Sequence, residues 1–165
     1  MIFSMDVDYR DNDTAVAAGL LFDDWTAEEP ILEHSELIND VQPYKSGEFY
    51  QRELPCLVQL IDSLPKRPDI LVVDGYVYLD EKGYPGLGGY LYRHYQEKIP
   101  VIGVAKNSFK GSEFAESVLR GESINPLYVT AWGIDPADAA KSVKEMHGEH
   151  RFPTLLKRTD SLCRS

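Results

Sequence analysis

Four side chains in this sequence are of the types that handle hard cations and phosphates: Asp6, Glu53, Asp74 and Lys106. Asp6 interrupts the apolar run MIFSMDVDY, and a carboxylate inside a core segment is costly unless it is paired or metal-bound. Its plainer reading, an aspartate beside a surface turn, stays open. Glu53 shares helical spacing with Leu57, Leu60 and Leu64, so it lies on the packed side of its helix, where glutamates are rare. Asp74 closes the apolar stretch DILVVDG, and Lys106 closes IPVIGVAK. Three carboxylates in one pocket would be the oxygen-rich, underneutralised site that magnesium or manganese prefers. A lysine at the same edge would suit a phosphate.

Competing constellations fit less well. Asp6, Asp8, Asp11 and Asp13 bunch like a calcium loop, but the glycine and glutamate such a loop needs are missing and its flanks read as strands. His34, His94, His147 and His150 sit among ordinary turn and helix residues. The glycines of GYPGLGG match neither a dinucleotide nor a P-loop fingerprint and read as loop glycines. Cys56 and Cys163 are too few for a disulfide framework and are not spaced as a zinc or redox pair, so both read as packing residues.

The elements that must position these groups follow from periodicity. Residues 1–9 and 13–22 read as an antiparallel hairpin joined by the polar turn at 10–13, with a third strand near 30–38. From Glu48, Leu54, Leu57, Val58, Ile61 and Leu64 recur at helical spacing up to Pro65. Pro55 is tolerable there only near the first turn. Residues 69–75 and 99–106 look like buried parallel strands, joined through a helix over about 88–97. A strand at 127–134, a helix from Asp135-Pro136 through about Met146 and a last helix after Pro153 complete the chain. The expected class is α/β: a mixed sheet, its first strands antiparallel and later ones parallel, flanked by helices. If residues 69–75 and 99–106 are neighbours, Asp74 and Lys106 share the carboxyl edge where α/β sheets gather their ligands.

At 165 residues, 43% hydrophobic and 27% charged, the chain fits one globular domain spanning 1–165. No apolar run is long enough for a membrane span, and the start lacks a signal-like region, so a cytoplasmic monomer is expected. The formal charge of −10 is unusual for a phosphate binder, yet residues 1–40 hold 11 acids against Arg10 alone, and the remainder balances. Arg151, Lys157, Arg158 and Arg164 face only Asp160 in the last fifteen residues. That local excess suits either phosphates or a solvated helix end.

Taken together, the DVDY segment, PYKSGEFYQRELP at 43–55, VVDG at 72–75, GVAK at 103–106 and HRFPTLLKRTD at 150–160 resemble the endonuclease V family over nearly the whole chain. The resemblance implies a ribonuclease H-like fold and Mg2+-dependent hydrolysis, Mn2+ substituting, of a phosphodiester on the 3′ side of deoxyinosine in DNA. Some members act on inosine in RNA. By that resemblance Asp6, Glu53 and Asp74 form the metal-binding acids, Lys106 is the conserved lysine, and Asp160 falls where the family has a late histidine or aspartate near the metals. Tyr44 matches the strand-separating wedge, and the base pocket is expected around Gly47, Phe49, Gly75, Asp80 and Gly103. The chain departs from the family pattern at several places. It starts almost at its first strand, where the family has a leading helical segment, and its wedge ends in Lys45-Ser46 instead of a hydrophobic residue and proline. Val77 stands for the family's second glycine and Asp80 for its histidine, and the usual Pro-Arg is missing. These changes leave two alternatives to inosine cleavage: a ribonuclease H-like nuclease of shifted substrate, or a non-catalytic nucleic-acid-binding module.

Overall fold

The computed structural model of the chain describes residues 1–43, 49–109 and 113–165, Phe49 by its backbone alone. Strands β1 (Ile2–Arg10), β2 (Thr14–Phe22) and β3 (Leu32–Ile38) lead into helix α1 (Phe49–Asp62); β4 (Ile70–Asp74), α2 (Leu87–His94) and β5 (Val101–Ala105) follow. Strands β6 (Glu116–Val118) and β7 (Leu127–Trp132) precede the helices α3 (Pro136–Glu145) and α4 (Thr154–Arg164). All seven strands form one sheet in the order β3-β2-β1-β4-β5-β7-β6.

The β1–β2 hairpin turns through Asn12 and Asp13, whose left-handed φ of 63° and 57° short polar side chains tolerate. It keeps unbroken register from Ile2↔Phe22 to Arg10↔Thr14. Alternation along the strands then sorts the core into two layers. Phe3, Met5, Val7, Leu71 and Val73 pack under α1 and α2, whose Leu57, Leu60 and Leu91 are buried. Ile2, Val72, Ile102 and Val104 pack under α3 and α4, with Val143 and Leu155. Each such leucine contributes roughly 1.5–3 kcal/mol by leaving water. Cys56 is a buried free thiol of the first layer, and Cys163 on α4 is also free and buried.

The expected parallel pair holds: β1, β4 and β5 run parallel as neighbours. Strand β7, in contrast, returns antiparallel to β5, with Val101 opposite Trp132, and three-residue β6 extends that edge. Pro55 lies in the second turn of α1, not the first. It is exposed there, where its missing N–H costs one helical hydrogen bond but no buried donor. Helix α2 stops at His94 because Gln96 and Glu97 turn left-handed. No helix among the described residues is long and apolar enough to cross a membrane.

Candidate functional site

Strand register delivers the first three groups. Met5 pairs with Val73 across the parallel β1–β4 ladder, so one residue on Asp6 comes level with Asp74. Asp74 in turn pairs with Val104, and Lys106 follows two residues later at the same edge of the sheet. Glu53 comes over this edge from α1 on one face, and Asp160 comes from α4 on the other. The position of α4 is fixed by polar contacts to the hairpin. Ser4 Oγ and Thr159 Oγ1 are buried 2.6 Å apart, and Thr159 also donates to the Leu155 carbonyl at 2.8 Å. Arg10 donates to the Cys163 carbonyl at 2.7 Å, while Arg164 bridges Asp160 at 3.0 Å and Asp8 at 3.3 Å.

The resulting pocket is lined by Asp6, Asp74, Asp160, Lys106 and Phe152. Asp6 is only 9% exposed, and its carboxylate accepts the Val7 N–H at 2.9 Å. Burial, then the hydrogen bond with Asp160 and the charge of Asp74, push the Asp6 carboxyl up to about 7. Burial and the charges of Asp6 and Asp74 push Glu53 up to about 8. Asp74 is also raised, burial outweighing the pull of Lys106. Asp160 moves the other way: burial would raise it, but its hydrogen bonds with Asp6 and Arg164 prevail and lower it. The Lys106 ammonium lies 4.5 Å above the Phe152 ring.

Carboxylates pushed this far up lack positive charge. Among the described residues no three His, Cys, Asp or Glu side chains converge closely enough to enclose an ion unaided. A magnesium-type cation asks for less, because it keeps several waters and takes one or two carboxylates together with substrate phosphate. Asp6 and Asp74, with Glu53 behind them, fit that requirement: an all-oxygen set whose mutual repulsion a divalent ion would relieve.

Beside the acids opens a cavity of about 430 Å³ that reaches from Glu53 and Asp74 past Gly75 to Tyr76, Tyr84 and Leu87. Tyr50 of α1 and Tyr90 of α2 stack in its wall, centroids 3.8 Å apart and planes 18° off parallel. Gly75 has φ +134° with open space around it, so glycine is required there by the backbone rather than by crowding. Gly103 serves differently: a Cβ there would stand 2.5 Å from the Gly75 carbonyl oxygen, so it supports the pocket's floor from beneath and does not line it.

Asp80 lies outside this cavity. Its carboxylate accepts the N–H groups of Lys82 and Tyr84 at 2.9 and 3.1 Å, capping a tight turn. Val77 is fully buried, pinned by Thr130 Oγ1 at 2.8 Å and packed on Gly88 and Gly89. Tyr44 and Gly47 fall outside the described residues, as does the side chain of Phe49, whose backbone opens α1. Two of the basic residues near the end are paired with acids at the surface: Arg158 with Glu29 and Glu33 at 2.6 and 2.9 Å, and Arg164 with Asp160 and Asp8. Residue-by-residue reading missed Tyr50, Tyr76 and Tyr90, for which the one signal was the count of 10 tyrosines.

Known proteins resemble this chain in sequence and fold. The Endonuclease V family model matches residues 1–133. An endonuclease V of Streptomyces avermitilis is 28% identical over 185 residues, spanning 99% of this chain and 79% of its own. The crystal structure of an endonuclease V from that organism superposes with a TM-score of 0.78 at 26% identity, covering 99% of this chain and 79% of the other. The Ciona intestinalis endonuclease V, in complex with a 23mer DNA containing an inosine followed by a ribo-adenosine, gives 0.80 at 20% identity, covering 99% and 83%. That likeness bears on the fold alone.

Proposed function

This chain belongs to the endonuclease V family, with its ribonuclease H-like fold, and on that premise we propose that it is a metal-dependent nuclease hydrolysing a phosphodiester on the 3′ side of deoxyinosine in DNA. The observation that carries the reading is the meeting of Asp6, Glu53, Asp74, Asp160 and Lys106 at one sheet edge, next to an aromatic cavity. Magnesium, or manganese in its place, would be held by Asp6 and Asp74, with Glu53 direct or through water, and when bound supplies a Lewis acid for the attacking water and the leaving oxygen. Lys106, beside Asp74, neutralises charge developing on the phosphate. Asp160, lowered by its hydrogen bonds with Asp6 and Arg164, supplies the negative side of the cleft. Asp6 and Glu53 hold protons that must leave before they can ligate, so cation affinity rises with pH. A base swung out of the helix enters the cavity against Tyr50 and Tyr76, where each stacking contact is worth about 1–3 kcal/mol. Tyr44 is the wedge by resemblance.

A nuclease of shifted substrate, inosine in RNA included, is the second reading. It is favoured by Val77 and Asp80, which stand away from the cavity and leave tyrosines to form its wall. Nicking of matched DNA and RNA oligonucleotides, with and without inosine, tests both. Magnesium-dependent nicking confined to inosine-containing DNA is expected, with Asp74→Ala lowering it about 10²-fold or more. Equal cutting of inosine and control strands would replace the first reading by the second. A wild type that cuts neither would leave the binding-module alternative.

A further inference from the structure

Lys106 borders a second hollow, of about 330 Å³. One wall is Lys106, Asn107 and Ser108, leaving β5; the other is Asn125 and Tyr128, entering β7. Arg151 joins the two, its guanidinium donating to the Lys106 carbonyl and, at 2.8 Å, to the Pro126 carbonyl. The Nε of Arg151 is buried and has no hydrogen-bond partner among the described residues. Tyr76, from the aromatic cavity, donates to the Asn107 carbonyl at 2.5 Å and ties the first wall to that cavity. Ser123 Oγ, 3.1 Å from the Asn125 N–H, steadies the second.

The chemistry of the lining is one-sided. Its polar side chains are an ammonium, a guanidinium, two amides and two hydroxyls, each able to donate a hydrogen bond. None of the lining residues is a carboxylate, in a chain with a net charge of −10. The other arginines near the end of the chain, Arg158 and Arg164, are already paired with acids. Lys106 lines both this hollow and the acidic pocket, so the two adjoin at that residue.

We propose that this hollow is a phosphate subsite, taking the non-bridging oxygens of the phosphodiester adjacent to the one hydrolysed. It rests on the nuclease reading and adds to it the place where an acidic protein grips the strand. The subsite gives a protein of net charge −10 a local grip: donors concentrated beside the acids hold the backbone where the acids need it.

The test uses the full chain and fluorescein-labelled duplexes containing one deoxyinosine, in EDTA so that nothing is cut. Each duplex carries an uncharged methylphosphonate at one linkage, moved in turn through those flanking the lesion. Asn125→Asp and Ser108→Asp, both at exposed loop positions, place a carboxylate in the hollow without touching Lys106 or the acids. Each variant should bind the all-phosphodiester duplex about tenfold more weakly, with a salt dependence shallower by about one ion. The penalty should vanish when the methylphosphonate sits beside the cleaved linkage and persist at the other positions. A penalty equal at every position, or none at all, would overturn the subsite. Wild-type nicking of the same duplexes in magnesium separates the failures. A chain that nicks but shows no position-dependent penalty keeps the nuclease reading and loses the subsite, whereas one that neither binds nor nicks loses both.

Discussion

Asp6 and Glu53 carry the cost of the site within the metal-free protein. Their ordinary values of 3.8 and 4.5 are raised to about 7 and about 8, so between these limits the folded chain holds protons that the unfolded chain has lost. These two carboxyls therefore cost no stability below about pH 4 and destabilise the fold increasingly as pH rises toward 8. Removing one charge should reverse that loss. Without metal, Asp6→Asn should melt about 5 °C higher than wild type at pH 8, the gap closing toward pH 4, as followed by circular dichroism. A wild type more stable than the variant at pH 8 would mean that Asp6 is stabilised by its neighbours instead of repelled by them. Asp6, Glu53 and Asp74 were legible because each breaks a local rule: a carboxylate in an apolar strand, on a packed helix side, or at a buried strand's end. Tyr50 and Tyr90 break none, since each is an ordinary helix residue until α1 and α2 bring them together.

Elements act on the site through register and close packing. The 75–77 backbone lies directly over Gly103, where an added Cβ would also meet Thr130 Oγ1 and the Val77 nitrogen, both at 3.0 Å. Two of the three neighbours are backbone atoms, so they yield only if the loop that leaves Asp74 moves. Gly103→Ala should cost about 1–3 kcal/mol, read as a lowered urea midpoint, and reduce nicking although no acid is altered. An unchanged midpoint with full nicking would show that the loop is not held from below. At this scale the hairpin, the β4-α2-β5 crossover and all four helices were legible from periodicity and from the Asp135-Pro136 and Pro153 starts. The direction of β7 was not, because a continuous apolar run reads alike in either orientation. Neither was β6, whose three residues are too few for any period.

Over the whole molecule, charge is divided along the sheet. The 11 acids of residues 1–40 belong to the part of the chain that builds the β3-β2-β1 half, while the strands from β4 onward lie in the balanced remainder. The acidic centre stands at the seam, where β1 meets β4, with Lys106 and the donor-lined hollow on the β5 side. The total charge of −10 thus misleads about nucleic-acid binding, whereas its distribution follows the sheet order that the sequence alone did not disclose. The central claim is that this seam is the cation site of a nuclease. Crystals soaked in manganese test it most directly: anomalous density bounded by Asp6 and Asp74, with Glu53 beside it, is the predicted result, and manganese bound elsewhere with none between those two aspartates would contradict it.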